Sequence, residues 1–276
     1  MKRLLLSALV GPALLVSAPL TGAQDPAPEP APDPAVDFTM VTDVDRLLQL
    51  YHQVHGGREV IKGLDHMRFE VNFTRFVDEE EVPDQKSPLN VEIRFSGKDR
   101  RVRMEEDQEV EGKLVRLVKI SDGVNSARVW VDGEELEIEE LRMGALLDAR
   151  LFLSIFDLLY RPDAEDVAIK IEGTRKRNGI EYLAAHLQFH ASRQVFDAYR
   201  NFYNPATSLV DRIDIHDGKD YTRVSTLDVL RYKDHEGIKF PGRFVVRSRA
   251  GKPQSAMNLE NVVLNPELDV TRFDGP

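Results

Sequence analysis

The residue types best suited to chemistry lie in one stretch, YHQVHGGREVIKGL, from Tyr51 to Leu64. His52 and His55 stand one helical turn apart, a spacing that supplies two of the four ligands of a zinc site. No nearby carboxylate or third histidine completes that set, so we predict no metal. The glycine pair that follows precedes Arg-Glu rather than Lys-Ser or Lys-Thr, which argues against a phosphate-binding loop. The stretch is therefore interpreted as the end of a helix, stopped at Gly56.

Other catalytic patterns fail in the same way. The chain contains no cysteine, which excludes thiolate nucleophiles and zinc–cysteine sites. G-x-S-x-G, H-E-x-x-H and S-x-x-K motifs are absent, and Ser154 lies in an apolar segment with no obvious base. The acidic groups at 78–81 and 134–140 lack EF-hand spacing and fit solvated hairpin tips better. We therefore predict neither an enzyme nor a cofactor.

Composition sets further limits. The 276 residues are 42% hydrophobic and carry a formal net charge of −10, which suits a globular fold. A chain this acidic repels phosphate backbones, so nucleic-acid binding is not expected, and an anionic membrane surface is disfavoured for the same reason.

The N-terminus has the pattern of a secretory signal peptide. Lys2 and Arg3 precede a short apolar run, and small residues around Ala23 fit a cleavage site. We predict a signal peptide over 1–23 and a proline-rich disordered linker over 24–40. An uncleaved membrane anchor is the alternative. Without a cysteine for lipid attachment, the mature protein is expected to be soluble, periplasmic or secreted, and not an integral membrane protein.

The remainder, 41–276, is predicted to form a single domain. An apolar stripe over 42–55 predicts an amphipathic helix, with Thr42 or Asp43 as its cap. Alternating segments such as MRFEVNFTRF then predict many antiparallel strands, joined at turns such as Asn178-Gly179. The fold class expected is α+β: a curved antiparallel sheet forming an incomplete, half-open β-barrel, with an N-terminal helix and a central apolar helix.

The central helix is predicted over 139–162. Its polar residues are few: Arg150, Ser154 and Asp157 share one narrow arc, and Asp148 is the exception. A helix so apolar must bury most of its surface. We expect its 144–160 segment to cover the inner face of the sheet.

Several phrases of the chain resemble the LolA/LolB-like superfamily, the periplasmic outer-membrane lipoprotein-sorting proteins. They are YHQVHGGREVIKGLDHMRFEV, FYNPATSLVDRIDI, EGIKFPGRFVV and NVVLNPELDVTRF, in the family's order. The resemblance implies an incomplete barrel whose helices cover a hydrophobic cavity for acyl chains. Its members include carriers, membrane-anchored acceptors and stress sensors, so the fold does not fix the role. The carriers hold the lid with an arginine inside the cavity, and here Arg94, Arg101 and Arg103 are equally eligible.

The function expected is the binding of a lipid or lipoprotein acyl chain, as in a carrier of outer-membrane lipoprotein sorting. The residues predicted to line the cavity are Phe69, Val71, Phe73, Val91, Ile93, Phe95, Leu187, Phe189, Ile213 and Ile215. Those predicted on the covering helix are Leu147, Leu151, Phe152, Ile155 and Phe156. Two alternatives stay open: these residues form a plain filled core, or the protein is an envelope sensor or scaffold that binds other envelope proteins.

Overall fold

The computed structural model describes residues 41–83, 87–95, 100–123, 126–160, 167–189, 198–216, 223–267 and 269–276. The predicted signal peptide, 1–23, and linker, 24–40, lie outside the described residues. Among the described helices, none combines the length and apolarity needed to cross a membrane.

Three α-helices and one 3-10 helix are described. The α-helices are α1 (Val44–Val54), α2 (Arg58–Lys62) and α3 (Glu139–Tyr160), and the 3-10 helix is Val270–Phe273. The strands are β1 (His66–Val77), β2 (Glu80–Pro83), β3 (Leu89–Arg94), β4 (Arg101–Val110), β5 (Lys113–Ser121), β6 (Ala127–Val131), β7 (Glu134–Glu135), β8 (Val167–Arg177), β9 (Ile180–Phe189), β10 (Ala198–Tyr203), β11 (Val210–His216), β12 (Arg223–His235), β13 (Ile238–Ser248) and β14 (Pro253–Leu264).

All strands belong to one antiparallel sheet. Its order is β7-β6-β5-β4-β3-β1-β14-β13-β12-β11-β10-β9-β8, with β2 paired to β1. The chain therefore winds outward from β1 to one edge, crosses to the other edge through α3, and returns strand by strand to β14 beside β1. Within the described residues the sheet does not close, which confirms the predicted open curved sheet with its two helical elements.

Local sequence explains the elements. Asp43 caps α1 by accepting a hydrogen bond from the Arg46 backbone nitrogen at 2.7 Å, as predicted. On β1 the alternation places Met67, Phe69 and Val71 on the buried face. This period of two gives every strand an inner face and an outer face.

The inner face carries the main core. Buried side chains of β1, β3, β4 and β9–β14 pack in one cluster with residues of all three α-helices. A neighbouring inner-face cluster joins Leu117 of β5 and Val129 of β6 to Leu141 and Ala145 of α3. The helices therefore cover the inner face, and α3 lies over β5 and β6.

The outer face is more polar and has its own small core of Val118, Ile120 and Trp130. The 3-10 helix packs beside β4, and Arg272 pairs with Glu92 and Glu105, each at 2.7 Å. The C-terminus is thus attached to the face of the sheet opposite the helices.

Candidate functional site

The predicted cavity residues that are described in full lie together on the inner face. Those with buried side chains, exposed by 8% or less, are Phe69, Val71, Val91, Ile93, Phe95, Phe152, Leu187, Ile213 and Ile215. Phe73 and Leu151 are partly buried and pack against the same cluster, and Leu147 is half-buried. Ile155, Phe156 and Phe189 belong to described backbone, but their side chains lie outside the described part of the structure.

Phe152 provides the contact between the two predicted groups. Its ring meets Phe69 of β1 edge-on, with 5.7 Å between the centroids and 66° between the planes. Edge-to-face geometry is the favoured arrangement of aromatic pairs and adds to the energy of burial. In this conformation Phe152 of α3 packs into the core of the inner face.

A charged contact also joins α3 to the inner face. Lys119 of β5 shares that face with Leu117, and its Nζ lies 2.9 Å from Asp148 Oδ2 of α3 and 3.5 Å from Glu106 Oε1 of β4. The side chains of Lys119 and Glu106 are 12% and 10% exposed, whereas that of Asp148 is 46% exposed. The pair therefore crosses from the interior to the solvent at the edge of α3.

The electrostatics of Lys119 follow from these partners. Burial alone would lower the pKa of its ammonium, because a charge loses hydration in the interior. Asp148 and Glu106 outweigh that effect and raise the pKa above its ordinary value. Lys119 is thus held charged at neutral pH, as its ion pair with α3 requires.

The three arginines considered from sequence do not reach α3. Arg94, Arg101 and Arg103 follow the register of β3 and β4 onto the outer face. Arg103 donates hydrogen bonds to the carbonyl oxygens of Arg272 and Gly275 and so holds the C-terminal segment. The inner-face cation that contacts the covering helix is instead Lys119, which the sequence analysis missed.

A signal for Lys119 was present in the sequence. In the β5 segment LVRLVKIS, alternation from Leu117 places Lys119 on the apolar face, where an unpaired lysine is costly. Asp148 was likewise the one charged residue of the 144–160 segment outside its polar arc. Lys119 and Asp148 carry opposite charges, and each lies on an apolar face that packs against the other. Together they predict an ion pair.

The histidines of the opening stretch have a packing role. His55 is fully buried, and its Nδ1 lies 2.5 Å from the carbonyl oxygen of Lys239 on β13. The Tyr51 ring lies 4.3 Å from the His55 ring, centroid to centroid. Burial lowers the pKa of His55 to about 4, so the ring is neutral at pH 7. Among the described residues, no group of three or more histidine, aspartate or glutamate side chains could hold a metal ion.

Gly56 fixes the same junction. Its φ of +97° suits glycine, and a Cβ built there would lie 2.5 Å from the carbonyl oxygen of Gly237. The end of α1 therefore rests directly on the backbone of the β12–β13 turn. The predicted helix stop is confirmed, and it also positions α1 on the sheet.

Known proteins resemble this chain in fold rather than in sequence. No family model matches the chain, and a search of curated proteins found no relative. A DUF1329 family protein from Desulfovibrio piger superposes with a TM-score of 0.54 at 13% identity, covering 83% of this chain and 96% of the other. A putative outer membrane lipoprotein-sorting protein domain from Vibrio parahaemolyticus superposes with a TM-score of 0.55 at 11% identity, covering 84% and 97%.

At such identities the likeness concerns architecture alone. Both superpositions extend over nearly the whole of the other protein, so the match includes the open sheet and the helices that cover it. The resemblance drawn from four short phrases is thereby confirmed at the level of fold. The chain shares the fold of these two proteins.

Proposed function

We propose that the protein binds the acyl chain of a lipid or lipoprotein between the inner face of its sheet and α3. The observation that carries the proposal is the attachment of α3. An apolar helix covers an apolar sheet face, and among the described side chains the ion pair Lys119–Asp148 joins the two at the edge of the helix. When α3 opens over a ligand, its apolar side chains leave the sheet face and contact the acyl chain instead.

The energetics favour reversible binding. A chain of about 14 methylenes gains roughly 11 kcal/mol on burial, at about 0.8 kcal/mol each. When α3 opens, the packing of Phe152 on Phe69 is lost, and the acyl chain of the ligand takes the place of the Phe152 ring. Losses of motion and of helix packing reduce the gross gain to a moderate net affinity. Moderate affinity is what a protein that loads and unloads its ligand requires.

The proposed setting is the periplasm. The predicted signal peptide over 1–23 favours export, and one protein of the same fold is described as a putative lipoprotein-sorting domain. We infer a soluble carrier that acts in lipoprotein sorting. Binding of envelope proteins by the same fold stays a prediction, tested by crosslinking in the envelope and by whether a partner is retained when inner-face residues are enlarged.

Binding itself is tested by native mass spectrometry of the mature chain, after gentle purification and after incubation with diacyl lipid. The expected result is a one-to-one complex whose lipid is lost on activation in the gas phase. A chain that takes up no lipid even at high excess would refute the proposal.

The route is tested by locking α3. Because the chain has no cysteine, Lys119→Cys with Asp148→Cys gives a unique pair, which a short bismaleimide can bridge. Bridging is expected to abolish lipid uptake, and the same double variant left unbridged should take up lipid. Each single-cysteine variant, treated with the same reagent, controls for modification. Equal uptake by the bridged and unbridged proteins would show that α3 is not the entrance.

A further inference from the structure

The outer face has a positively charged cleft at the β8 edge of the sheet. Its volume is about 280 Å³, and it is lined by Arg175, Lys176, Arg177, Arg200 and Phe202. Arg200 and Phe202 alternate along β10 with the inward-facing Tyr199 and Tyr203, so the cleft opens opposite the face covered by α3. No carboxylate lines it.

Two guanidinium groups of the cleft are fixed by contacts with neighbouring side chains. Arg177 stacks on the Phe202 ring, 4.4 Å from the centroid, and donates to Asp214 Oδ2 at 3.0 Å. Arg200 donates to both carboxylate oxygens of Glu172, at 2.7 and 3.1 Å. A fixed guanidinium loses little freedom when an anion binds to its remaining N–H groups.

Arg175 is the cation of the cleft that is held most loosely. Its side chain is 57% exposed and forms an ion pair with Glu172 at 3.8 Å, beyond hydrogen-bond distance. Lys176 also contributes to the lining, but alternation along β8 directs its side chain to the other face, opposite Glu181 of β9. The three guanidinium groups of the outer face exceed by one the carboxylates that pair with them, Glu172 and Asp214.

More distant charges add to this excess. Burial lowers the pKa of the Arg177 guanidinium, and Arg212 and Arg223 lower it further, against the opposite effect of Asp214. The cations of β8, β10, β11 and β12 thus repel one another around the cleft. A bound anion would relieve that repulsion.

We propose that this cleft binds a phosphate group, carried by a lipid headgroup or by a free phosphate. Guanidinium forks match phosphate oxygens in pairs, and the local excess of positive charge attracts an anion. The volume lies just below the range usual for small-molecule pockets, which fits one phosphate or a compact headgroup. The net charge of −10 predicts repulsion of anionic surfaces, but a local cleft of one sign determines attraction at short range.

The test compares two matched single variants of the mature chain. Arg175→Gln removes the exposed guanidinium of the cleft. Arg249→Gln removes an exposed guanidinium at the β13–β14 turn and changes the net charge equally. Inorganic phosphate is titrated by calorimetry, and sedimentation measures binding to phosphatidylcholine vesicles with and without phosphatidylglycerol. Thermal unfolding verifies that all three proteins fold.

The wild type and the turn variant are expected to bind alike. The cleft variant should lose about tenfold in affinity for phosphate or about fivefold for phosphatidylglycerol vesicles. Loss in the phosphate arm identifies a free phosphate group as sufficient, and loss in the vesicle arm alone identifies the headgroup as the source. Absence of binding in both arms overturns the proposal, as does equal binding by the cleft variant or an equal loss in the turn variant. None of these outcomes depends on acyl binding at the inner face.

Discussion

Helices α1 and α3 cover the same face of one sheet, yet they are attached to it in different ways. The end of α1 meets the sheet backbone to backbone, through Gly56 on Gly237 and the His55 contact with Lys239. The described contacts of helix α3 with the sheet are made by side chains, chiefly apolar ones, with an ion pair at its edge. A backbone contact admits no alternative partner, whereas an apolar face accepts a ligand in exchange. The comparison suggests a fixed α1 and a movable α3.

Gly56→Ala should break the fixed side of this comparison most severely. The new Cβ would lie 2.5 Å from the Gly237 carbonyl oxygen and would add a side chain at a φ of +97°. We expect the free energy of unfolding, measured in urea, to fall by about 4 kcal/mol. Gly57→Ala is the matched control, since φ there is +94° but nothing lies within 4 Å of its Cβ. It should cost about 2 kcal/mol from backbone strain alone. Equal losses would mean that the backbone contact contributes nothing.

Acid should weaken the same junction. The pKa of His55 is about 4 in the folded chain and 6.5 when unfolded, so the unfolded state takes up its proton first as pH falls. The stability that neutral His55 contributes is full above pH 6.5 and is lost between 6.5 and 4. From pH 7 to 4.5 the loss is about 2.5 kcal/mol.

His55→Gln isolates this contribution, because its amide can still donate to the Lys239 carbonyl but does not titrate. The free energy of unfolding is measured in urea for both proteins at pH 7 and at pH 4.5. The contributions of all other titrating groups cancel when the pH-dependent losses of the two proteins are subtracted. The variant should lose about 2.5 kcal/mol less than the wild type. The same loss in both proteins would exclude His55 as the acid-sensitive group.

The sequence predicted local elements better than contacts between distant segments. Alternation identified the inner face of β1 correctly, and Asn178-Gly179 forms the predicted hairpin, with φ of 48° and 86°. Such features depend on neighbours along the chain. Phe69 and Phe152, which were predicted to line a cavity, lie on buried faces for the same reason.

The charged contacts were not predicted, because they depend on register between distant segments. Alternation cannot show that Arg103 turns outward to the C-terminus while Lys119 turns inward to α3. The cleft beneath Arg177 and Arg200 likewise needs the pairing of β8, β9 and β10. The net charge argued against an anion-binding cleft, because a charge summed over the whole chain does not show where positive charge is locally in excess.

Lys119→Met tests the movable side. The substitution keeps most of the apolar stem but leaves Glu106, 10% exposed, without this cation. A fully buried carboxylate that loses its cation costs several kcal/mol of stability. We expect the free energy of unfolding to fall by about 2 kcal/mol here, because the site reaches solvent. Hydrogen exchange should show the loss in α3 amides and leave α1 amides protected. Faster exchange in both helices would indicate general destabilisation rather than release of α3.

Asp148→Asn should give the smallest effect and sharpen the comparison most. Asp148 is 46% exposed, so solvent already screens its attraction to Lys119, and loss of the charge should cost about 0.5 kcal/mol. That energy corresponds to about twofold faster exchange of α3 amides, and to faster lipid uptake if α3 is the entrance. Glu137→Gln is the control, since it also removes one carboxylate, but Glu137 pairs with Arg142 of α3 itself at 3.4 Å and does not reach the sheet. If only Asp148→Asn accelerates exchange, the ion pair with the sheet, rather than the loss of a negative charge near α3, holds the helix in place. Equal acceleration by both variants would mean that α3 is held by its apolar face alone.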